Sequence, residues 1–151
     1  MDLGIGGGKT SMKDKVFIDS NVLVYAHDIA SPAKQKMAKE AVYEAIRSDR
    51  GAISTQVISE FYITITRKIK SPLSVPEARR EIELLSVLEI VEIDLTMIFS
   101  AIRFQSRWKI SYWDGLILAA AEQAQCAFLL SEDMKDQENY DGIVVHNPFG
   151  L

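Results

Sequence analysis

Cysteine and histidine are scarce in this sequence, which contains one cysteine and two histidines in 151 residues. Cys126 cannot form an intrachain disulfide, and its place among alanines before an apolar run predicts a buried, reduced thiol. No histidine lies near it in sequence, which argues against thiol catalysis. His27 and His146 lack the spacing of a ligand pair, so the sequence does not predict a zinc centre.

Long hydrophobic runs and an excess of positive charge are also missing. The apolar stretches have the length of strands, short of the roughly 20 residues that a membrane-spanning helix needs, and no secretory signal is present. We therefore expect a soluble cytoplasmic protein with no membrane partner. The net charge of −4 lacks the basic footprint of most nucleic-acid-binding proteins. An enzyme that binds phosphate through divalent cations carries uncompensated carboxylates, however, and can be acidic overall.

The length and a hydrophobic content of 48% fit one globular domain with a substantial core. Residues 1–11 are rich in glycine and precede a second methionine, Met12. We expect a disordered, vector-derived leader at 1–11 and a single domain at 12–151. The segment GGGKT at 6–10 resembles a phosphate-binding loop only superficially, because Leu3 stands where the motif needs glycine and no strand precedes it.

Short apolar runs alternate with helical patterns along the rest of the chain. Strands are predicted at 16–18, 52–53, 89–93, 128–130 and 143–145. Helices are predicted from Pro32 to a stop at Gly51, after Ser54 or Thr55, and at 77–88, 94–107 and 112–125. The run ITIT at 63–66 could also form a strand, but the wider period favours a helix. This alternation predicts a three-layer α/β sandwich with a parallel sheet of about five strands.

Four acidic residues follow or approach the carboxyl ends of predicted strands. Asp19 ends the first strand, Glu60 lies early in the helix after the second, Asp114 lies in the first turn of the 112–125 helix, and Asp133 follows strand 128–130. Right-handed crossovers bring the carboxyl ends of parallel strands to one edge of the sheet, where ligand sites form. We therefore expect the four carboxylates to converge at that edge.

Each acid alone also has a structural explanation. Asp19 could cap a helix, and Asp114 follows Ser111 at the spacing of a capping box. Together, however, four carboxylates at one edge repel one another unless a cation or a bound proton offsets their charge. Oxygen ligands without histidine or cysteine favour Mg²⁺ or Mn²⁺ over zinc. Carboxylate-bound metal ions activate water for hydrolysis of a phosphodiester.

Four segments carry a specific resemblance to a known family. Residues 16–25 (VFIDSNVLVY), 54–61 (STQVISEF), 111–121 (SYWDGLILAAA) and 129–133 (LLSED) resemble the successive acidic motifs of PIN-domain nucleases, in the right order across nearly the whole chain from Met12. In chain length and in the sequence of these motifs, the protein most resembles the VapC-type toxins of toxin–antitoxin pairs. One departure is Gly115, where many relatives carry alanine.

The resemblance implies a PIN-like fold and a Mg²⁺- or Mn²⁺-dependent endoribonuclease. Asp19, Asp114 and Asp133 would be metal ligands, with Asp136 as a possible addition, and Glu60 would orient or deprotonate the attacking water. Ser131 would assist near the metal and Asn21 near the substrate. The resemblance also implies an RNA substrate, a homodimer and a small antitoxin protein whose C-terminal segment occludes the groove.

For RNA contact, the sequence draws attention to Arg107, Trp108 and Lys109, because a basic residue beside an aromatic suits phosphate binding and base stacking. The alternative is a solvated helix end with Trp108 packed in the core. Two other enzyme classes fit less well. An aspartyl phosphatase needs a second aspartate where Asn21 stands, and a phosphoacceptor receiver domain needs an acidic pair and a late lysine that the sequence lacks. A PIN-like binding or scaffold module without nuclease activity remains the non-enzymatic alternative.

Overall fold

The structure is a computed structural model that describes residues 14–150. The predicted leader at 1–11 and the domain boundary at residue 12 lie outside these residues. The strands are β1 Lys15–Ile18, β2 Gly51–Ser54, β3 Glu89–Val91, β4 Cys126–Leu130, β5 Asn139–Tyr140 and β6 Ile143–His146. The helices are α1 Ser20–Tyr25, α2 Pro32–Ser48, α3 Thr55–Arg67, α4 Val75–Leu85, α5 Leu95–Trp108 and α6 Tyr112–Gln123.

The strands form one sheet in the order β3-β2-β1-β4-β6-β5. Neighbouring strands are parallel, except that β5 runs antiparallel to β6 at the edge. The predicted three-layer α/β class is therefore confirmed. The sheet has one strand more than the sequence indicated, because β5 is only two residues long and has no hydrophobic pattern. With β1 and β4 adjacent in the middle, their carboxyl ends lie side by side.

Helices cover both faces of this sheet. Helices α1 to α4 contact one another in sequence-adjacent or near-adjacent pairs, and α5 packs against α6. The core contains fully buried side chains from both strands and helices, among them Phe17, Phe61, Phe104 and Leu129. Within the described part of the chain, no helix is both long enough and apolar enough to cross a membrane.

Side-chain caps fix where the helices begin. Ser54 accepts a hydrogen bond from the Val57 amide at the start of α3, and Asp94 does the same for the Met97 amide at the start of α5. The run ITIT lies inside α3, so the helical alternative is the correct one. Helix α4 begins earlier than predicted, at Val75, because Ser74 and Glu77 form a reciprocal capping box and Pro76 is tolerated in the first turn.

Gly51 does not end helix α2, as the sequence suggested. The helix ends at Ser48, and Asp49 adopts the left-handed conformation with φ of 57°. Gly51 is instead the first residue of β2, where a Cβ atom would come within 2.8 Å of the Ala45 Cβ and 2.7 Å of the Leu88 side chain. The glycine therefore permits close packing between the strand, α2 and the segment before β3.

Gly115 has a similar role in α6, and this gives a testable prediction. A Cβ at this position would lie 2.5 Å from the backbone oxygen of Ala101 in α5. Although alanine favours a helix by about 1 kcal/mol, overpacking costs about 1–3 kcal/mol, so Gly115→Ala is expected to lower the free energy of unfolding. Chemical denaturation would measure the change, with Gln123→Ala at the exposed end of α6 as the control. An alanine variant as stable as the wild type would contradict the packing argument.

Candidate active site

Asp19 lies where β1 ends and α1 begins, and it is 6% exposed. Its Oδ1 accepts a hydrogen bond from the Ser20 amide at 2.8 Å, and its Oδ2 accepts one from the Ser131 hydroxyl at 2.8 Å. The pKa of Asp19 is raised from 3.8 to about 6, chiefly by burial and also by the nearby charges of Glu60 and Asp133, although the two hydrogen bonds act to lower it. The sheet therefore holds a carboxylate in a place where its charge is costly.

Asn21 joins α1 to the loop that follows β4. Its Nδ2 donates to Asp133 Oδ2 at 3.2 Å and to the Ser131 hydroxyl at 3.4 Å, and its Oδ1 accepts from the Glu132 amide at 3.1 Å. Ser131 Oγ also accepts a bond from the Asp133 amide at 3.2 Å. One amide side chain and one hydroxyl thus fix the position of Asp133 relative to Asp19.

Glu60 and Asp114 approach the same edge from α3 and α6. Glu60 Oε1 accepts a hydrogen bond from the Ser20 hydroxyl at 3.2 Å. Asp114 lies in the first turn of α6, where its amide donates to Ser111 Oγ at 3.0 Å. Partial burial raises the pKa of Asp114, and the negative charge of Asp133 raises it further. The structure therefore brings all four predicted acids into one electrostatic neighbourhood.

Within the described part of the chain, the four acids form no ion pair. Among residues 14–150, none of the four acids lies within salt-bridge distance of a lysine, arginine or histidine. The same residues contain no group of three or more His, Cys, Asp or Glu side chains arranged to hold a metal ion as they stand. The donors are oxygens from carboxylates, with a hydroxyl and an amide beside them, which is the chemistry that hard divalent cations prefer. Glu60 and Asp133 are exposed, so their carboxylates have room to turn toward a cation.

A second network, which sequence analysis missed, fixes the loop from its outer side. The Tyr25 hydroxyl donates to Glu132 at 3.0 Å, and Lys34 of α2 forms an ion pair with the same carboxylate. The Tyr25 ring packs edge-on against Phe149 with centroids 4.9 Å apart. These partners come from distant parts of the chain, and no local pattern could have indicated them. Glu132 therefore has a basic partner, whereas its neighbour Asp133 forms no ion pair with any residue that the structure describes.

The predicted RNA-contact residues are engaged within their own chain. Arg107 Nε donates to Asp141 Oδ1 at 2.9 Å, and Trp108 Nε1 donates to Asp141 Oδ2 at 3.4 Å. The Trp108 ring packs edge-on against Tyr140 at 5.2 Å. Lys109 ends α5 in the left-handed conformation and is exposed. A role for these three residues in RNA binding stays a prediction, although contact with RNA through Arg107 or Trp108 would compete with Asp141.

Two further residues singled out from the sequence, Asp136 and Cys126, have other surroundings. Asp136 accepts hydrogen bonds from the Asn147 amide and the Gln137 side chain, and these bonds hold its pKa below the ordinary value. Cys126 is a free, buried thiol, as predicted, and burial raises its pKa to about 12. It is therefore neutral and unreactive at physiological pH.

Comparison with known proteins gives both a family and a set of similar structures. A family model described as the PIN domain matches residues 16–143. No curated protein matches the chain. A toxin–antitoxin complex from Klebsiella pneumoniae contains a similar structure, with TM-score 0.68 and 20% identity over 91% of this chain and 100% of that one.

Two further structures are similar at lower identity. The sarcin–ricin loop cleaving toxin VapC20 of Mycobacterium tuberculosis has TM-score 0.61 and 16% identity, over 79% of this chain and 90% of that one. DNA-bound VapBC from Salmonella typhimurium has TM-score 0.62 and 16% identity, over 89% of this chain and 98% of that one. At these identities, the similarity establishes a common fold.

Proposed function

The chain belongs to the PIN domain family, and from that premise we propose that it is a metal-dependent endoribonuclease that hydrolyses RNA phosphodiester bonds. The observation that carries the proposal is a set of four neighbouring carboxylates, Asp19, Glu60, Asp114 and Asp133, that form no ion pair among residues 14–150. Two of them have raised pKa values because burial and neighbouring acids disfavour their charge. Such an arrangement costs stability and suits a protein that binds a cation there.

Asp19, Asp114 and Asp133 would hold Mg²⁺ or Mn²⁺ at this edge. When bound, the cation would offset the carboxylate charge, acidify a water molecule and stabilise the oxygens of the reacting phosphate. The residues of the chain contribute position and proton transfer. Ser131 orients Asp19, Asn21 orients Asp133, and the exposed Glu60 carboxylate would orient the attacking water and accept its proton.

Cleavage of structured RNA in the presence and absence of metal tests this proposal. We expect cleavage with Mg²⁺ or Mn²⁺ in the cytoplasmic pH range, loss of cleavage with excess EDTA, and recovery when the metal is restored. The absence of metal-dependent cleavage from every RNA tested would instead favour a binding or scaffold module. A product pattern that is unchanged by EDTA would point to contamination by a metal-independent ribonuclease.

We further propose that the protein is the toxin of a toxin–antitoxin pair and forms a homodimer. The similar structures include toxin–antitoxin assemblies, and VapC20 is described as a toxin that cleaves the sarcin–ricin loop. A short neighbouring reading frame with a DNA-binding fold would support the antitoxin. Co-expression of its product should suppress RNA cleavage, whereas full cleavage by a stable complex of the two proteins would contradict the pairing.

Helix α5 supplies a surface for the second copy. Leu95, Phe99 and Ile102 are 64%, 62% and 46% exposed, and their spacing places them on one helical face. The two arginines of α5 form ion pairs with Glu122 and Asp141 on other elements. An apolar stripe of this kind can pack against its own copy about a twofold axis.

Phe99→Asp tests this surface. We expect the charge in the stripe to shift the protein from dimer to monomer in light scattering at micromolar concentration, because an unpaired carboxylate would be buried in the interface. Tyr43→Asp is the matched control, since Tyr43 is an aromatic of similar exposure on α2, 67% against 62%. A Phe99 variant that remains dimeric would exclude this face of α5 as the interface.

A further inference from the structure

Trp113 is exposed directly beside the acidic edge. It lies in the first turn of α6, immediately before Asp114, and 62% of the side chain is accessible. Its ring contacts Tyr112 edge-on at 5.1 Å, and most of the indole is left uncovered by the described residues. Tryptophan side chains are largely buried on average in folded proteins. An accessible indole next to candidate catalytic residues therefore indicates a surface that contacts a ligand.

A cavity of about 530 Å³ lies between this indole and one of the four acids, Glu60. Trp113 and Leu116 form an apolar wall, and the polar wall is formed by Thr55, Gln56, Ser59 and Glu60. Glu60 is one of the four acids and is hydrogen-bonded to Ser20, next to Asp19. A molecule in this cavity would therefore lie against the indole and reach the proposed hydrolytic centre at the same time.

The polar wall of the cavity has unused hydrogen-bonding capacity. Gln56 Nε2 makes a long bond of 3.4 Å to the Trp113 carbonyl, and Gln56 Oε1 is the buried side-chain atom of the described residues that has no hydrogen-bond partner. Ser59 donates its hydroxyl proton to the Thr55 carbonyl, so its oxygen can still accept. A flat ring with N–H groups on its edge would stack on the indole and donate to Ser59, and also to Gln56 once that side chain turns its buried Oε1 toward the cavity.

We propose that Trp113 is a stacking platform for the base of a nucleotide next to the scissile phosphate, with Gln56 and Ser59 at the base edge. This inference rests on the proposed function, since it assumes an RNA substrate. Unpaired bases of RNA stack on aromatic side chains, and this contact tolerates different sequences because every base has a π-face. The mixed polar and apolar walls favour a nucleobase over an apolar protein segment.

The two tryptophans of the chain have different environments in the structure. Trp108 is held by Tyr140 and Asp141, whereas Trp113 keeps an accessible ring beside Asp114. The sequence drew attention to Trp108 because it follows Arg107. In the structure, Trp113 is better placed than Trp108 to stack on a base.

Tryptophan fluorescence with a short, single-stranded oligoribonucleotide of mixed sequence tests the proposal in the presence of Ca²⁺ instead of Mg²⁺, with gel analysis to verify that the RNA stays intact. We expect the RNA to quench the fluorescence of the wild type, and an abasic ribose-phosphate oligomer to leave it unchanged. Trp113→Phe should lose the quenching but keep affinity within about threefold, measured by anisotropy of labelled RNA. Trp113→Ala should lower that affinity roughly 10-fold or more, the range of one base–aromatic stack. Tyr43→Ala, an exposed aromatic on α2, should bind like the wild type.

Each alternative outcome has a definite meaning. Unchanged affinity in Trp113→Ala, or quenching that persists in Trp113→Phe, would overturn the proposal. Unchanged RNA affinity together with a shift of Trp113→Ala to monomer in light scattering would assign the indole to a protein interface instead. Stacking without any RNA cleavage by the wild type would retain Trp113 as a base platform while the nuclease proposal fails. RNA cleavage by a Trp113→Ala variant with unchanged RNA affinity would retain the nuclease proposal and exclude Trp113 as a base platform.

Discussion

Asp114→Asn is expected to lower the rate of metal-dependent RNA cleavage by roughly 10²–10³-fold or more, with little effect on folding. The asparagine keeps the backbone amide that donates to Ser111, so the start of α6 is preserved. It removes a negative charge that would hold the cation, and an amide oxygen is a much weaker ligand. Cleavage of structured RNA under excess substrate, at saturating Mg²⁺ and at raised Mn²⁺, measures the loss.

Glu77→Gln provides a matched control for this variant. Glu77 also lies in the first turn of a helix, three residues after a capping serine, but in α4 and with its side chain bonded to the Ser74 amide. If Asp114 acted only as a helix-terminal acid, the two variants would affect cleavage equally. We expect Glu77→Gln to cleave RNA at nearly the wild-type rate. Equal activity of wild type and Asp114→Asn would contradict the proposed metal role.

The second large effect concerns stability. Because folding raises the pKa of Asp19 from 3.8 to about 6, the folded state holds this proton more tightly than the unfolded state. Stability from this group is fully present below about pH 4 and is lost as the pH rises toward and through 6. Above that range the ionised carboxylate costs about 3 kcal/mol. Replacement by asparagine removes this cost but weakens the bond from Ser131, so we expect Asp19→Asn to be about 2 kcal/mol more stable at pH 7.

Urea denaturation of the metal-free wild type and Asp19→Asn between pH 4 and 8 tests this prediction. The difference in the free energy of unfolding should be near zero at pH 4, grow between about pH 4 and 6, and level off above pH 6. Asp136→Asn is the control of opposite sign, because hydrogen bonds hold the pKa of Asp136 low and its ionised form stabilises the fold. A difference for Asp19→Asn that does not depend on pH would show that burial does not penalise the Asp19 charge.

The predicted gain in stability of Asp19→Asn, set beside the proposed metal role of Asp19, indicates a conflict between stability and function at this residue. A carboxylate that destabilises the metal-free protein is retained where hydrogen bonds from Ser20 and Ser131 aim both oxygens. An asparagine would improve the fold and remove the charge that a cation needs. Functional sites commonly carry local costs of this kind.

Much of the fold follows from the sequence because its determinants are local. Apolar runs of strand length alternate with helical patterns, and Ser54, Asp94 and Ser111 cap helices where their chemistry predicts. Because the carboxyl ends of parallel strands lie at one edge of the sheet, an acid that follows a strand in sequence is expected at that edge. That rule explains why four acids distant in sequence were expected together.

Other features depend on contacts between distant residues, which one sequence does not reveal. Asp141 accepts hydrogen bonds from Arg107 and Trp108, which are more than 30 residues away in sequence. Lys34 forms an ion pair with Glu132, nearly 100 residues away. The close approach of Gly115 to the α5 backbone has no local signal either. Strand β5 was not predicted because its two residues, Asn139 and Tyr140, are too few to form a periodic pattern. In each case the determining partner is set by topology and packing rather than by local propensity.

The central claim is that the carboxylates at this edge hold a divalent cation. Calorimetric titration of the RNA-free protein with Mn²⁺ at neutral pH, for wild type, Asp19→Asn and Glu77→Gln, measures it most directly. We expect saturable binding by the wild type and by Glu77→Gln, and at least about 10-fold weaker binding by Asp19→Asn. Equal Mn²⁺ affinity in all three proteins, or no binding by the wild type, would contradict the claim.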